Sequence, residues 1–313
     1  MIYENKSAGI KLGATLTIPY GKGPFPAVVL ITGSGQQDRD ESVFGHKPFL
    51  VLADYLTRKG IIVLRADDRG VGKSGGHPAL PTSADPSTDV ETGMAFLKTR
   101  PEVDTHKIGL IGHSEGGGIA PMIAARNPDV AFIVMMAGPG VPLDQLLVEQ
   151  IRLINEALGV GPVAAAINAA LEREILAIVK QEKNKEALEA KLREKLGKMM
   201  PEPQVNSTIR ELTSPGFRES LEYDPATELK KVRCPVLAIN GEKDAQVSPK
   251  QNLPAIQKAL ESGGNRNFVI KELPGLNHAF QTAKTGSPSE YVEIEETISP
   301  IALETVAGWI LKQ

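Results

Sequence analysis

The chain is nearly devoid of cysteine, with one thiol, Cys234, in 313 residues. A lone thiol forms no intramolecular disulfide and cannot build a Cys-rich metal site. Cys234 precedes Pro235 at the start of an apolar run, which reads as a buried structural thiol rather than a nucleophile. Neither sign of charge is in surplus: 35 Lys and Arg against 38 Asp and Glu leave a formal net charge of −3. With no basic stripe, a nucleic-acid partner is excluded. No apolar run approaches the roughly 20 residues that a membrane-spanning helix needs. The first residues, Met1-Ile2-Tyr3-Glu4-Asn5-Lys6, lack the basic-then-apolar layout of a signal peptide. The expectation for this chain is therefore cytoplasmic, with export or membership of a larger protein left open should a leader or domain have been trimmed. Internal repeats and low-complexity segments are also missing. A chain of this length can bury one large core, or a core plus an inserted subdomain.

Strand and helix signals alternate along most of the sequence. Residues 9–18 show partial apolar alternation and predict an early antiparallel strand, and residues 27–31 form a continuous apolar run suited to a buried central strand. A helix over 49–59 is stopped by Gly60. A strand over 61–64, a helix over 85–100, a strand ending at Gly112, a helix to Arg126 and a strand over 130–136 follow. The pattern resumes with a strand over 235–239, a helix over 252–262, a strand over 267–273 and a terminal helix over 300–311. Such alternation predicts a mostly parallel sheet with helices on both faces. Between residue 142 and about 223 the strand signal vanishes. Segments 143–158, 163–181 and 185–199 read as amphipathic helices rich in Glu, Lys and Ala. The expected organisation is a core over 1–141, a helical cap insertion over 142–225 and the second part of the core over 226–313.

The stretch Gly112-His113-Ser114-Glu115-Gly116 lies between a strand and a helix and fits G-x-S-x-G. The turn leaves no room for a Cβ two residues before or after the serine, and it lifts Oγ above the sheet. The first N–H groups of the following helix point toward any oxyanion formed there. By contrast, Gly70-Val71-Gly72-Lys73-Ser74 fails as a phosphate-binding loop, because Asp67 stands where the required first glycine belongs. It reads as a turn, with Arg65, Asp68 and Arg69 as candidates to pair near the floor of a site.

A serine nucleophile needs a base, and the base needs an orienting acid. Of the five histidines, His106 precedes the elbow strand, His113 must leave the elbow on the side opposite Ser114, and His46 and His77 lie in loops that could border a pocket. His278 directly follows the last strand, where it can reach the carboxyl edge of the sheet. Asp244 follows the strand over 235–239, with Glu242 the runner-up in the same loop, while Asp224 suits a capping role. The order Ser114, Asp244, His278 is that of α/β hydrolases.

With these residues in place, the chain resembles α/β-hydrolase-fold serine esterases of the dienelactone hydrolase and serine aminopeptidase-like superfamily over nearly its whole length. The resemblance rests on residues 31–40, Asp67-Asp68-Arg69-Gly70-Val71-Gly72-Lys73-Ser74, the elbow, Asn240-Gly241-Glu242-Lys243-Asp244 and Gly275-Leu276-Asn277-His278. It implies Ser114 as nucleophile, His278 as base and Asp244 as orienting acid. It also implies an oxyanion hole from the N–H of Glu115 and one donor from the Gly33-Ser34-Gly35 loop. Thr32-Gly33 stands where many relatives carry His-Gly, and the second donor is expected to be Ser34, with Gly35 next.

The expected activity is hydrolysis of small carboxylic esters through an acyl-enzyme, with no metal and no cofactor. A peptidase or amidase using the same three residues is the rival among enzymes. A hydrolase-fold ligand-binding protein without turnover is the rival outside them.

Overall fold

The computed structural model describes residues 1–77 and 84–313, with the side chains of residues 84 and 85 left out. The expected helix start at residue 85 is the only boundary that touches this gap. Among the described residues, eight strands form one sheet: β1 (Ile2–Asn5), β2 (Ile10–Thr17), β3 (Phe25–Ile31), β4 (Ile62–Ala66), β5 (Val103–His113), β6 (Ile133–Met136), β7 (Val236–Gly241) and β8 (Phe268–Leu273). Their spatial order is β1-β2-β4-β3-β5-β6-β7-β8. β1 pairs antiparallel with β2, and β2 antiparallel with β4; all remaining neighbours are parallel.

Parallel strands covered on both faces need apolar side chains on both sides, and β3, β4 and β6 meet that condition. Ala27 to Ile31, Ile62 to Leu64 and Ile133 to Met136 are all buried. Two apolar layers result. One gathers Val29, Leu64, Leu110 and Met135 with α2 (Ala84–Lys98), α3 (Glu115–Ala124) and α10 (Pro249–Ser262). The other gathers Val28, Val63, Ile111 and Ile239 with α1 (Pro48–Arg58) and α11 (Pro300–Ile310).

Five helices separate β6 from α9 (Pro225–Leu229), the short helix that leads toward β7: α4 (Leu143–Ala157), α5 (Pro162–Gln181), α6 (Lys185–Leu196), α7 (Glu202–Leu212) and α8 (Pro215–Glu222). They enclose an apolar cluster of their own, made by Leu176, Val179, Leu188, Leu192, Val205, Ile209 and Leu221, among others. Asp224 caps α9 by accepting the Ala226 N–H at 3.0 Å, the capping role expected of it. β1, α7, α8 and α9 are additions to the expected elements. Cys234 is largely covered, and burial pushes its thiol up to about 12, as a structural thiol requires.

Candidate active site

The site stands at the carboxyl ends of β3, β5, β7 and β8, and each of its loops is fixed by the strand before it. Ser114 follows β5 and caps α3 with φ 53° and ψ −119°. A positive φ is costly for a residue with a Cβ and persists only where the surroundings impose it. Here they do. A Cβ on Gly112 would lie 2.0 Å from the Gly116 carbonyl oxygen, and one on Gly116 would lie 2.3 Å from that of Ile31. Strand, turn and helix therefore interlock only with glycine at 112 and 116. The Ser114 N–H is tied to the Met136 carbonyl of β6 at 2.9 Å. Glu115 opens α3, so its N–H has no carbonyl within the helix to bond.

Asp244 and His278 are brought together. His278 Nδ1 lies 2.9 Å from Asp244 Oδ2, and both residues are buried. Asp244 is held from the other side as well, its Oδ1 accepting the N–H groups of Gln246 at 2.9 Å and Val247 at 2.8 Å. Asn240 Nδ2 donates to Oδ2 at 3.3 Å and to the Val247 carbonyl at 2.8 Å. Glu242 faces elsewhere: its Oε2 accepts the Gly275 N–H at 2.8 Å, tying the acid loop to the base loop. Among the described residues, His278 Nε2 has no hydrogen-bond partner, Ser114 Oγ included.

The loop after β3 lies against the elbow. A Cβ on Gly33 would come within 3.3 Å of the Ser114 Cβ and 3.3 Å of Glu41 Oε1. The Gly33 N–H is already donated to Glu41 Oε1 at 2.7 Å and is not available to a ligand. Glu41 also reaches His113, whose Nδ1 lies 3.0 Å from the same Oε1, while His113 Nε2 lies 3.1 Å from the His278 carbonyl oxygen. The His113 ring thus turns from the cavity, as strand alternation requires, and packs 4.9 Å from the His278 ring. Burial disfavours the charged imidazole, yet the Glu41 carboxylate and the His278 carbonyl outweigh it and raise His113 to about 9.

A second set of charges braces the floor. Arg65 pairs with Asp40, and Arg69 with Asp89. Asp67 accepts from the Arg39 guanidinium at 2.5 and 2.8 Å and from the Lys73 N–H at 2.9 Å. Burial opposes its charge, but these donors hold its carboxyl down at about 2. Asp68 faces no cation among the groups that shift it. Burial pushes it up to about 6, against hydrogen bonds from the Gln37 N–H and the Thr32 hydroxyl.

Ser114 opens on a cavity of about 600 Å³, within the range that holds small ligands. The wall combines core residues Leu12, Ile119 and Met122 with Leu143, Leu146 and Leu147 of α4 and Phe217 of α8. Ile151 and Ile154 are not part of it. Tyr223 brings to the same wall a buried hydroxyl that has no partner among the described residues. His77 borders the cavity, whereas His46 bonds to Thr297 and to the Tyr291 carbonyl. Another depression of similar volume, between α4 and α5, is lined by the Asp144–Lys180 pair and Arg173 and does not touch Ser114. No group of three or more His, Cys, Asp or Glu side chains among the described residues is arranged to hold a metal ion. Nor is any described helix long and apolar enough to cross a membrane.

Comparison with known proteins adds the decisive observation: a family profile described as serine aminopeptidase, S33, matches residues 47–283. The chain belongs to the S33 serine aminopeptidase family of hydrolases. This S33 chain aligns with the esterase EstD of Thermotoga maritima, 30% identical over 314 residues, an alignment covering 99% of this chain and 68% of that protein. Est1E from Butyrivibrio proteoclasticus, solved with ferulic acid bound, matches with a TM-score of 0.60 and 19% identity, covering 100% of this chain and 98% of that one. Proline iminopeptidase from Mycobacterium smegmatis matches with a TM-score of 0.60 and 16% identity, covering 100% and 97%. At such identities the structures speak to the fold, which is that of the α/β hydrolases.

Among the described residues, sequence reasoning overlooked Glu41. It is one of four acids within residues 38–54, and only the folded loop turns it inward. A run of polar residues carries no periodicity that would single it out.

Proposed function

We propose that this S33-family chain is a carboxylic-ester hydrolase in which Ser114 is the nucleophile, His278 the general base and Asp244 the residue that orients the base. The observation that carries the reading is the buried Asp244–His278 pair beside a serine held at positive φ, at the mouth of a largely apolar cavity. With Asp244 Oδ2 accepting from Nδ1, the proton of the neutral imidazole is held on Nδ1 and the lone pair is on Nε2, the tautomer that can take a proton from Oγ. Attack on the ester carbonyl would place the oxyanion at the start of α3, where the Glu115 N–H and a donor from Ser34 or Gly35 stabilise it. Collapse expels the alcohol, protonated by the imidazolium, and a water repeats the cycle on the acyl-enzyme.

An amidase or peptidase remains the second reading because the family is described as an aminopeptidase family. The relative aligned along nearly the whole chain is named an esterase, which favours esters. Residues 142–225, by this reading, act as a cap that shapes the acyl pocket. Two measurements test the proposal. A fluorophosphonate probe should label the protein at Ser114, located by peptide mass, and labelling elsewhere or none would overturn the nucleophile. Initial rates on p-nitrophenyl esters and amino-acid p-nitroanilides should favour esters by orders of magnitude; the reverse order would move the activity to amides.

A further inference from the structure

We infer that Glu41 and His113 form a charged positioning pair that locks the oxyanion loop and the base loop into one rigid unit around Ser114. The inference rests on Ser114 and His278 acting as proposed above. One carboxylate oxygen, Glu41 Oε1, accepts from two places at once: the Gly33 N–H at 2.7 Å and His113 Nδ1 at 3.0 Å. The other ring nitrogen of His113 reaches the His278 main-chain carbonyl at 3.1 Å. A continuous chain of three hydrogen bonds thus runs from the loop after β3, through the elbow, to the loop after β8.

Where the Glu41 carboxylate is ionised, the hydrogen-bond count sets the charge of the ring. A carbonyl oxygen can only accept, and an ionised carboxylate can only accept, so His113 makes both bonds only when both ring nitrogens carry hydrogen. His113 is then an imidazolium, bonded to Glu41 by a charge-assisted hydrogen bond. The groups facing its ring are Glu41, the Asp244 carboxylate, the His278 ring and carbonyl, and the apolar ring of Phe280. Two carboxylates against one buried cation favour that state.

Two further observations mark Glu41 as placed for this purpose. Its φ is 53°, an unfavourable conformation for a side chain of its kind, and only 4% of its surface is exposed. Its second oxygen, Oε2, is buried with no hydrogen-bond partner among the described residues. A buried carboxylate with one idle oxygen contributes poorly to stability. Its placement is explained by what Oε1 does. Holding the Gly33 N–H keeps the chain where a Cβ at residue 33 would come within 3.3 Å of the Ser114 Cβ, and this sets where the next two N–H groups, of Ser34 and Gly35, stand relative to Oγ. Holding the His278 carbonyl through His113 sets the height of the base. Neither Glu41 nor His113 lines the cavity or touches substrate, so both are positioning residues.

Glu41→Gln and His113→Gln are the test. In Glu41→Gln the amide offers oxygen to the same two donors but no negative charge, so the ring can no longer hold both protons and one bond of the chain is lost. Per fluorophosphonate-titrated site, each variant should lower kcat about ten- to a hundredfold while KM stays within about twofold. Affinity for a trifluoromethyl ketone, which forms a tetrahedral adduct on serine, should fall in parallel with kcat. The double variant should lose little more than either single one, because the pair acts as a unit. Variants within twofold of wild-type kcat, or a loss carried by KM alone, would overturn the inference. Should the variants fold poorly, imidazole ¹⁵N spectra of the wild-type protein decide it: His113 should show the doubly protonated pattern at pH 7.5, and a neutral ring there would overturn it. Failure of Ser114 to take the probe in the wild type would refute the underlying reading instead.

Discussion

Replacing Asp244 by asparagine isolates what one charge and one tautomer contribute, because the surrounding hydrogen bonds dictate how the amide must sit. Asp244 Oδ1 receives two main-chain N–H groups, from Gln246 and Val247, and Oδ2 faces His278 Nδ1 and Asn240 Nδ2. An amide nitrogen at the first position would confront two donors with two more hydrogens. The oxygen of the new amide therefore stays at the Oδ1 position, and its NH₂ points at His278. Nδ1 must then accept, the ring proton moves to Nε2, and the nitrogen that should receive the Ser114 proton is already occupied. Wrong-tautomer substitutions of this type lower kcat by roughly four orders of magnitude, or about 5 kcal/mol at 1.36 kcal/mol per decade. The same NH₂ also opposes Asn240 Nδ2, a donor facing a donor, which should cost about 1–3 kcal/mol of stability. The assay is kcat on a short p-nitrophenyl ester, with the thermal midpoint measured by circular dichroism on the same samples. Retention of more than a tenth of wild-type kcat by a folded Asp244→Asn protein would refute the reasoning. Glu242→Gln, at a side chain that accepts the Gly275 N–H and does not bond His278, should stay within a factor of a few; a larger loss there than at Asp244 would move the orienting role to Glu242.

Ser114→Ala should abolish turnover to at least about a thousandfold below wild type with the fold retained, read by ester hydrolysis and circular dichroism; residual activity above a tenth would remove Ser114 from the chemistry. Leu146→Ala and Phe217→Ala enlarge the cavity wall, so the ratio of kcat/KM for long over short esters should change by about tenfold or more, and unchanged ratios would make α4 and α8 structural only. Because the folded value of His113, about 9, lies above the ordinary 6.5, the stability it gains from Glu41 is complete below pH 6.5 and is lost as pH rises through about 9. The thermal midpoint and kcat should therefore decline together between about pH 8 and 10 in the wild type, and a flat profile through that range would contradict the ion pair.

The sheet was legible because parallel strands buried on both faces must be written as continuous apolar runs. Ala27 to Ile31 and Pro235 to Ile239 could not be read otherwise. β1 was not, since only Tyr3 and Asn5 of its four residues turn inward, and Asn5 is held by hydrogen bonds to Thr88 and Asp89 that no periodicity reveals. Helices α7 to α9 escaped because Pro203, Pro215 and Pro225 look like breaks, whereas each occupies a first-turn position where its missing N–H costs nothing. The candidate residues Ser114, Asp244 and His278 were readable from their places after strands. Glu41 and the double bonding of His113 were not, because they depend on how loops distant in sequence meet.

The helices between β6 and α9 bury Leu188, Leu192, Val205 and Ile209 among themselves, apart from the two layers that flank the sheet. Local opening follows such clusters, and one built apart from the sheet can open at a lower free energy than the sheet itself. Leu147 and Phe217 pack against that cluster and also line the cavity, while Asp244 and His278 belong to the loops of the sheet. Warming would then blur the wall before it disturbs the Asp244–His278 hydrogen bond, so discrimination between long and short acyl chains would fade while the rate on the smallest esters continued to climb.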